Sequence, residues 1–283
     1  DSPDFTLRVS KEVKKIKPNI KTIHFVAPKV YVWRENRVKK LKSFLDHILL
    51  LFPFEKKYFE KENIKSTFTG HPLLEERAQS KVDISQIIKE YKKIFSIYPG
   101  SRQSEINVLI PILLQFIKLM NEKYTDILFV FHSISEHNHL IKSLLVKEGF
   151  KNCEVISDEK TKSYVLKQSM FAVSKSGTVS LEICNAKIPS IIIYKMSRIN
   201  FFIVKMLVKV KFANIINIAA DEEIIPELLQ SKCNPKDIYN TVDKLLSDKH
   251  ALEQQVTKFQ DVISKFKTEK SSEIVSKVLL NHL

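Results

Sequence analysis

Glycine is scarce, at four residues in 283, and neither a Walker loop nor a Gly-x-Gly-x-x-Gly fingerprint is present. The usual glycine-rich phosphate cradles are therefore excluded. Cysteine is scarce too. Cys153, Cys184 and Cys233 stand far apart, with no Cys-x-x-Cys pair and no histidine at ligand spacing. That argues against a disulfide framework or a zinc site and suits a reducing compartment. Long apolar runs are missing: Leu41 to Phe54 is interrupted by Asp46 and His47, and Ile188 to Val208 by Lys195, Arg198 and Lys205. Neither reads as a spanning helix, so any membrane contact is expected to be peripheral. There is no internal repeat and no low-complexity linker. The chain opens at Asp1-Ser-Pro-Asp-Phe5 with no initiator Met and no charged or apolar leader. It reads as the middle of something longer, and its first residues predict a strand end or a turn.

What is present is apolar content of 44% and a net charge of +14, from 46 basic and 32 acidic residues. The first is enough to bury the core of one large or two ordinary domains. The second suits a phosphorylated substrate, an anionic membrane surface or nucleic acid, and AT-rich coding bias produces the same lysine excess with no partner at all. No nucleic-acid recognition motif and no aromatic-basic platform accompany the charge.

Strand and helix patterns alternate along the chain. Thr22 to Val26 is a short β-branched and aromatic run, Arg34 to Phe44 carries Val38, Leu41 and Phe44 at helical spacing, and Ile48 to Phe52 reads as the next strand. Pro53 opens a helix after it. Gly70-His71-Pro72 is a sharp break and the candidate domain crossover, and residues 73 to 91 read as polar, surface-covering helices. A second series begins with the strand Ile94 to Tyr98 and a long helix through Ile106, Leu109, Leu113 and Ile117. Ile127 to Phe131, Glu154 to Ile156, Met170 to Val173 and Ser190 to Tyr194 supply further strands. Alternation of this kind implies a parallel α/β sheet whose ligand lies beyond the carboxyl ends of the strands. From Asp221 the pattern predicts mainly helix, with Pro226 early in one segment.

Two strand-loop-helix junctions carry the candidate chemistry. In the first, Arg102 follows a strand through Pro99-Gly-Ser and precedes a helix, where it is either placed for phosphate oxygens or simply a surface arginine on a turn. In the second, Ser176, Gly177 and Thr178 leave unpaired N–H groups at a helix start, where an anion is favoured, with Glu182 one turn further on at the side where a ribose would lie. The bland reading is that Ser-Gly-Thr only turns the chain and caps the helix. Together the two junctions describe a nucleoside-diphosphate site better than either does alone.

Several ordered motifs carry a resemblance. Val30-Tyr-Val-Trp-Arg-Glu-Asn-Arg37, Leu51-Phe-Pro-Phe-Glu55, Gly70-His-Pro72, Pro99-Gly-Ser-Arg102, Ser176-Gly-Thr178 with Leu181-Glu182, and Tyr194-Lys-Met196 resemble, in that order, the lipid-A-disaccharide synthases. The resemblance implies a GT-B type glycosyltransferase of two Rossmann-like parallel-sheet domains. Residues 1–72 would be the remainder of the acceptor-side domain, and 73–283 the UDP-sugar domain with its C-terminal helices. It implies inverting transfer of 2,3-diacylglucosamine from its UDP conjugate to the 6-hydroxyl of 2,3-diacylglucosamine 1-phosphate, with no metal and no cofactor. The work would be done on the cytoplasmic side, peripherally at the inner membrane, and by a possible homodimer.

By resemblance Asp1 falls on the catalytically important aspartate, with Asp4 as the alternate base, and Arg102 on the important arginine. Ser101, Arg102, Ser176, Gly177 and Thr178 would hold the diphosphate and Glu182 the ribose, while Tyr194 and Lys195 would line the nucleotide pocket. His24 is either structural or near the acceptor, His71 is given no role, and Trp33 either packs or stacks on ligand. The cluster Ile199 to Val208, with Lys205 and Lys209, is core, an acyl contact or a subunit contact. The chain departs from the family in three ways. The glycine-rich first segment ahead of Asp1 is absent, which predicts an incomplete N-terminal sheet with an open edge. A usual glycine near Ile216 to Asp221 is missing, and Lys175 replaces a small residue. The competing reading, from another class, is a non-catalytic remnant that keeps only UDP-sugar binding.

Overall fold

Runs such as Ile127-Leu-Phe-Val-Phe131 have no polar interruption, as strands covered on both faces require, and they form parallel sheets. The computed structural model describes residues 3–33, 37–75, 82–88, 91–197, 201, 206, 208 and 210–282. The chain divides into two units: Asp1–Glu76 with Ile203–Lys211 and Ser264–Leu283, and Arg77–Phe202 with Phe212–Ile263.

The first unit holds α1 (Pro3–Ile16), β1 (Ile23–Phe25), α2 (Val30–Trp33), α3 (Arg37–Leu41), β2 (His47–Leu50), α4 (Lys56–Glu60) and β3 (Ser66–Phe68). Its described sheet is parallel, in the order β1-β2-β3. Where a turn is expected at Asp-Ser-Pro-Asp, a helix starts at Pro3 with Asp4 in its first turn. Proline fits there because the first helical N–H has no partner to lose, and the aspartate complements the helix dipole. Leu7, Val38, Leu41, Ile48, Leu50 and Phe59 fill the core of this unit.

The second unit contains α5 (Ser85–Ile88), β4 (Lys93–Tyr98), α6 (Gln103–Lys123), β5 (Ile127–His132), α7 (Ser135–Lys147), β6 (Cys153–Ile156), α8 (Glu159–Gln168), β7 (Phe171–Lys175), α9 (Val179–Asn185) and β8 (Ser190–Tyr194). After these come α10 (Ile215–Ala220), β9 (Glu227–Leu229), α11 (Pro235–Ser247) and α12 (Lys249–Phe266), within which the division between the units falls. Among the described residues, six parallel strands lie in the order β6-β5-β4-β7-β8-β9. Helix α6 is long and apolar enough to cross a membrane by composition. It is a core helix: Ile106, Leu109, Ile110, Leu113 and Phe116 are buried together with Phe95, Phe129 and Phe171 of the sheet.

Two expectations are corrected here. Pro226 does not start a helix: it directly precedes β9, and its carbonyl accepts the N–H of Ile192, so a short strand extends the sheet. Residues 264–283, expected with the UDP-sugar domain, belong to the first unit. There Thr268 Oγ1 donates to the Thr69 carbonyl at 2.9 Å, the Ser271 N–H donates to Glu75 Oε1 at 2.8 Å, and the rings of Phe266 and Phe52 meet edge-on. Helix α13 (Ser271–Leu280) completes this return.

Candidate functional site

Strand order places the site. From β4 the chain moves outward to β5 and β6, then crosses back to lay β7 on the opposite side of β4. Such a reversal opens a crevice beyond the carboxyl ends of the two central strands, where the flanking loops diverge. Tyr98, the last residue of β4, is the register partner of Ser174 in β7. The loops 99–102 and 176–178 therefore leave the sheet side by side.

In the first loop Gly100 has φ +106, a conformation that side chains rarely adopt, and Glu105 folds back beneath it. Glu105 Oε2 accepts the N–H groups of Ser101 (3.2 Å) and Arg102 (3.4 Å), so the third residue of α6 closes the loop onto the helix start. Oε1 of the same carboxylate lies 3.1 Å from Arg102 Nη1 and 2.9 Å from Lys175 Nζ. Burial pushes the Glu105 pKa up, but Lys175 and the loop N–H groups outweigh it, and the net direction is down. His137, near the start of α7, donates from Nε2 to the Ser101 carbonyl at 3.1 Å and pins the loop from the other side.

Arg102 keeps its guanidinium at the surface. Its side chain is 77% exposed, against 13% for Glu105. Solvent screens the pairing of a guanidinium that exposed with Glu105, whereas a charge-assisted bond to phosphate is worth about 1.5–3 kcal/mol. A phosphate oxygen brought to this loop would therefore compete well for the guanidinium.

In the second loop the N–H groups of Ser180 and Leu181 turn back to the carbonyls of Gly177 and Thr178. Those of Gly177, Thr178 and Val179 precede them around the first turn of α9, where a helix offers its N–H groups no intrahelical acceptor. Gly177 and Thr178 are exposed. Ser176 is committed elsewhere, since its Oγ donates to the Ala213 carbonyl at 2.8 Å and its N–H to the Ile193 carbonyl at 3.2 Å. Ala213 and Asn214 are held in turn through their N–H groups by Glu227, which Asn217 also contacts. Asp221 takes the left-handed cap of α10 at φ +51, a position glycine favours and aspartate tolerates.

The predicted nucleotide residues are only partly gathered. Ser101, Arg102 and Tyr194 meet around Glu105 and Lys175: the Lys175 ammonium stands 5.3 Å from the centre of the Tyr194 ring, and burial followed by the Glu105 charge raises the Tyr194 pKa. Glu182 is exposed on α9. Burial, then the Glu182 charge, pushes the Tyr98 hydroxyl upward. Lys195 turns away and donates to the Cys233 carbonyl at 3.2 Å. Asp4 sits in the first turn of α1 in the other unit, and Asp1 lies outside the described residues. So do the side chain of Trp33 and most of Ile199 to Val208, including Lys205 and Lys209. His71 accepts the Leu73 N–H at 3.2 Å and caps a turn, and His24 is 7% exposed with Nε2 unpartnered.

Sequence reasoning assigned no role to Glu105, His132 or His137. Glu105 had a signal, because it stands three residues after Arg102 at capping-box spacing. His132 lies under Tyr98, ring centroids 4.2 Å apart, and bonds Ser96 Oγ at 2.7 Å. Among the described residues no cluster of histidine, cysteine and carboxylate side chains is built to hold a metal. The thiols of Cys153, Cys184 and Cys233 are free, and burial pushes their pKa values up.

Residues 1–278 match the family described as lipid-A-disaccharide synthetase. The chain belongs to that family. The lipid-A-disaccharide synthase of Rickettsia prowazekii is 34% identical over 286 residues, covering 99% of this chain and 74% of that one. The enzyme of Gluconobacter oxydans is 33% identical over 269 residues, which are 94% of this chain and 64% of the relative. The chain thus spans about two thirds to three quarters of these synthases. Among solved structures, the UDP-GlcNAc 2-epimerase from Neisseria meningitidis bound to UDP-GlcNAc aligns with a TM-score of 0.63 at 16% identity, covering 98% of this chain and 73% of that one. That likeness is one of fold, and the fold is of the GT-B class. Within the lipid-A-disaccharide synthetase family, the Arg102 and Ser176–Thr178 loops of this member are the two that flank its strand-order reversal.

Proposed function

We propose that this chain supplies the UDP-sugar site and part of the acceptor side of a lipid-A-disaccharide synthase. In this reading the enzyme moves 2,3-diacylglucosamine from its UDP conjugate to 2,3-diacylglucosamine 1-phosphate in a β-1,6 link. The observation that carries the proposal is the pairing of β4 with β7 at the strand-order reversal, which sets the loop of a mostly exposed Arg102 beside that of the exposed Gly177 and Thr178. Arg102 and the N–H groups at the start of α9 take the diphosphate oxygens, and Glu182 takes the ribose hydroxyls. Ser176 supports by fixing its loop to Ala213.

The acceptor 6-hydroxyl attacks the donor's anomeric carbon from the face opposite the UDP, which inverts that centre. The new C–O bond forms as the bond to the diphosphate oxygen breaks, the hydroxyl proton passes to the Asp1 or Asp4 carboxylate, and the leaving charge falls among cations and amide dipoles. The reaction is placed peripherally at the inner face of the inner membrane. Support comes from the net charge of +14 and from Phe5, Val9 and Ile16, exposed on α1 beside Arg8 and Lys15. Each basic residue held near an anionic surface contributes about 1 kcal/mol. A homodimer belongs to the same proposal.

The test is incubation of the protein with both lipid substrates, following released UDP and the product mass. The disaccharide 1-phosphate with stoichiometric UDP is expected. UDP release with free diacylglucosamine, or an epimerised donor, would overturn the proposed transfer.

A further inference from the structure

Lys175 ends β7 between the two loops, and its side chain is only 16% exposed. Two contacts keep it there: the Glu105 carboxylate at 2.9 Å and the Tyr194 ring, whose centre is 5.3 Å from Nζ. A desolvated ammonium over an aromatic face is held by the ring quadrupole as well as by its counter-ion. Glu105 therefore carries four donors. Lys175 and the Arg102 guanidinium share Oε1, while the Ser101 and Arg102 N–H groups share Oε2. If the guanidinium departs, three donors remain and the half-buried carboxylate stays neutralised. If Lys175 were absent, Arg102 would be the one side-chain cation left to Glu105 among these partners, and drawing it toward a ligand would strand a half-buried charge.

We propose that Lys175 is a positioning residue for the diphosphate: by neutralising Glu105 it holds the Arg102 guanidinium on one replaceable contact and so leaves it available to the phosphate oxygens. The inference rests on the nucleoside-diphosphate reading of the crevice. It makes the site a three-charge device of Arg102, Glu105 and Lys175, whose net charge of +1 falls to zero when Lys175 is lost. The charge that acts on the ligand is on Arg102, while Lys175 sets how tightly Arg102 is bound at rest.

The test is a double-mutant cycle read by titration calorimetry with UDP and by ligand-observed NMR with uridine, which lacks the diphosphate. Lys175→Met is expected to weaken UDP at least fivefold and to leave uridine within twofold. In the Glu105→Gln background the same substitution is expected to change UDP affinity less than twofold, because the charge it neutralises is gone. Lys175→Arg is expected to stay within twofold of the parent.

An equal loss for uridine and UDP would reduce Lys175 to a structural role, and an undiminished loss in the Glu105→Gln background would make it a direct ligand contact; either overturns the inference. Should Lys175→Met fail to fold, Glu105→Gln alone decides, since the inference expects its UDP affinity to be equal to or tighter than the parent's, and a fivefold loss would contradict it. If the parent protein itself binds no UDP while folded, the nucleotide reading falls first.

Discussion

Tyr98 and Ser174 face each other across the pairing of β4 and β7, the two strands at which the sheet order reverses. This single register point brings the loop holding Arg102 alongside the loop holding Gly177 and Thr178, although more than 70 residues separate them in the chain. On the proposed reading such a site needs no glycine-rich fingerprint, because two ordinary loops would share the anion between them.

The first loop depends on Gly100. A Cβ there would lie 2.5 Å from Glu105 Oε2 and 3.0 Å from its Cβ, at a backbone φ of +106. Gly100→Ala is expected to cost about 1–2 kcal/mol of stability and to weaken UDP by displacing Glu105. Gly149→Ala is the control. It carries a similar backbone strain at φ +74 with nothing within 4 Å, so thermal denaturation should register its cost while UDP titration does not.

Glu55 is 3% exposed and accepts the Phe52 N–H at 3.1 Å. Burial raises its pKa from 4.5 to about 7, against the opposing pull of the Phe52 and Leu51 amides. A carboxyl whose folded pKa lies above its unfolded value binds more protons folded than unfolded. Stability therefore falls as pH rises from 4.5 to 7, and the penalty stays in full above that. Glu55→Gln keeps an acceptor for the amide and removes the charge. It is expected to raise the unfolding free energy by about 1–3 kcal/mol at pH 8 and by much less at pH 5, as chemical denaturation at the two pH values would show.

His132 has the opposite dependence. Burial, and then the Lys162 charge, lower its pKa from 6.5 to about 3. Unfolded, it takes a proton below pH 6.5; folded, it does not until near pH 3. Stability contributed by the neutral ring is complete above pH 6.5 and is lost as pH falls through that window, by about 1.4 kcal/mol per pH unit. His132→Gln should flatten this slope between pH 6 and 4 in denaturation curves. An unchanged slope would show that the ring is already protonated in the folded state.

The strands from Ile94 to Tyr98, Ile127 to Phe131 and Ser190 to Tyr194 were legible because short, mainly apolar runs between turn residues leave few alternatives. The Arg102 and Ser176–Thr178 junctions were legible for the same reason, since each follows such a run. β9 was not: three residues after a proline give no periodicity, and only pairing with β8 makes them a strand. The helical pattern expected from Asp221 onward does not say which core receives residues 264–283, and here Phe266 and Thr268 pack in the N-terminal unit. The Glu105–Lys175 pair was invisible because it exists only through the β4–β7 register. Ser176 and Lys195 carried the right chemistry in the right motifs, yet the carbonyls of Ala213 and Cys233 claim their side chains.

The central claim is that the crevice between β4 and β7 binds a nucleoside diphosphate through Arg102. Titration calorimetry of UDP into the protein and its Arg102→Ala variant tests it most directly. The account predicts that the parent binds and that the variant loses about tenfold or more, roughly 1.4 kcal/mol. Equal affinity in the two, or no binding by a folded parent, would contradict it.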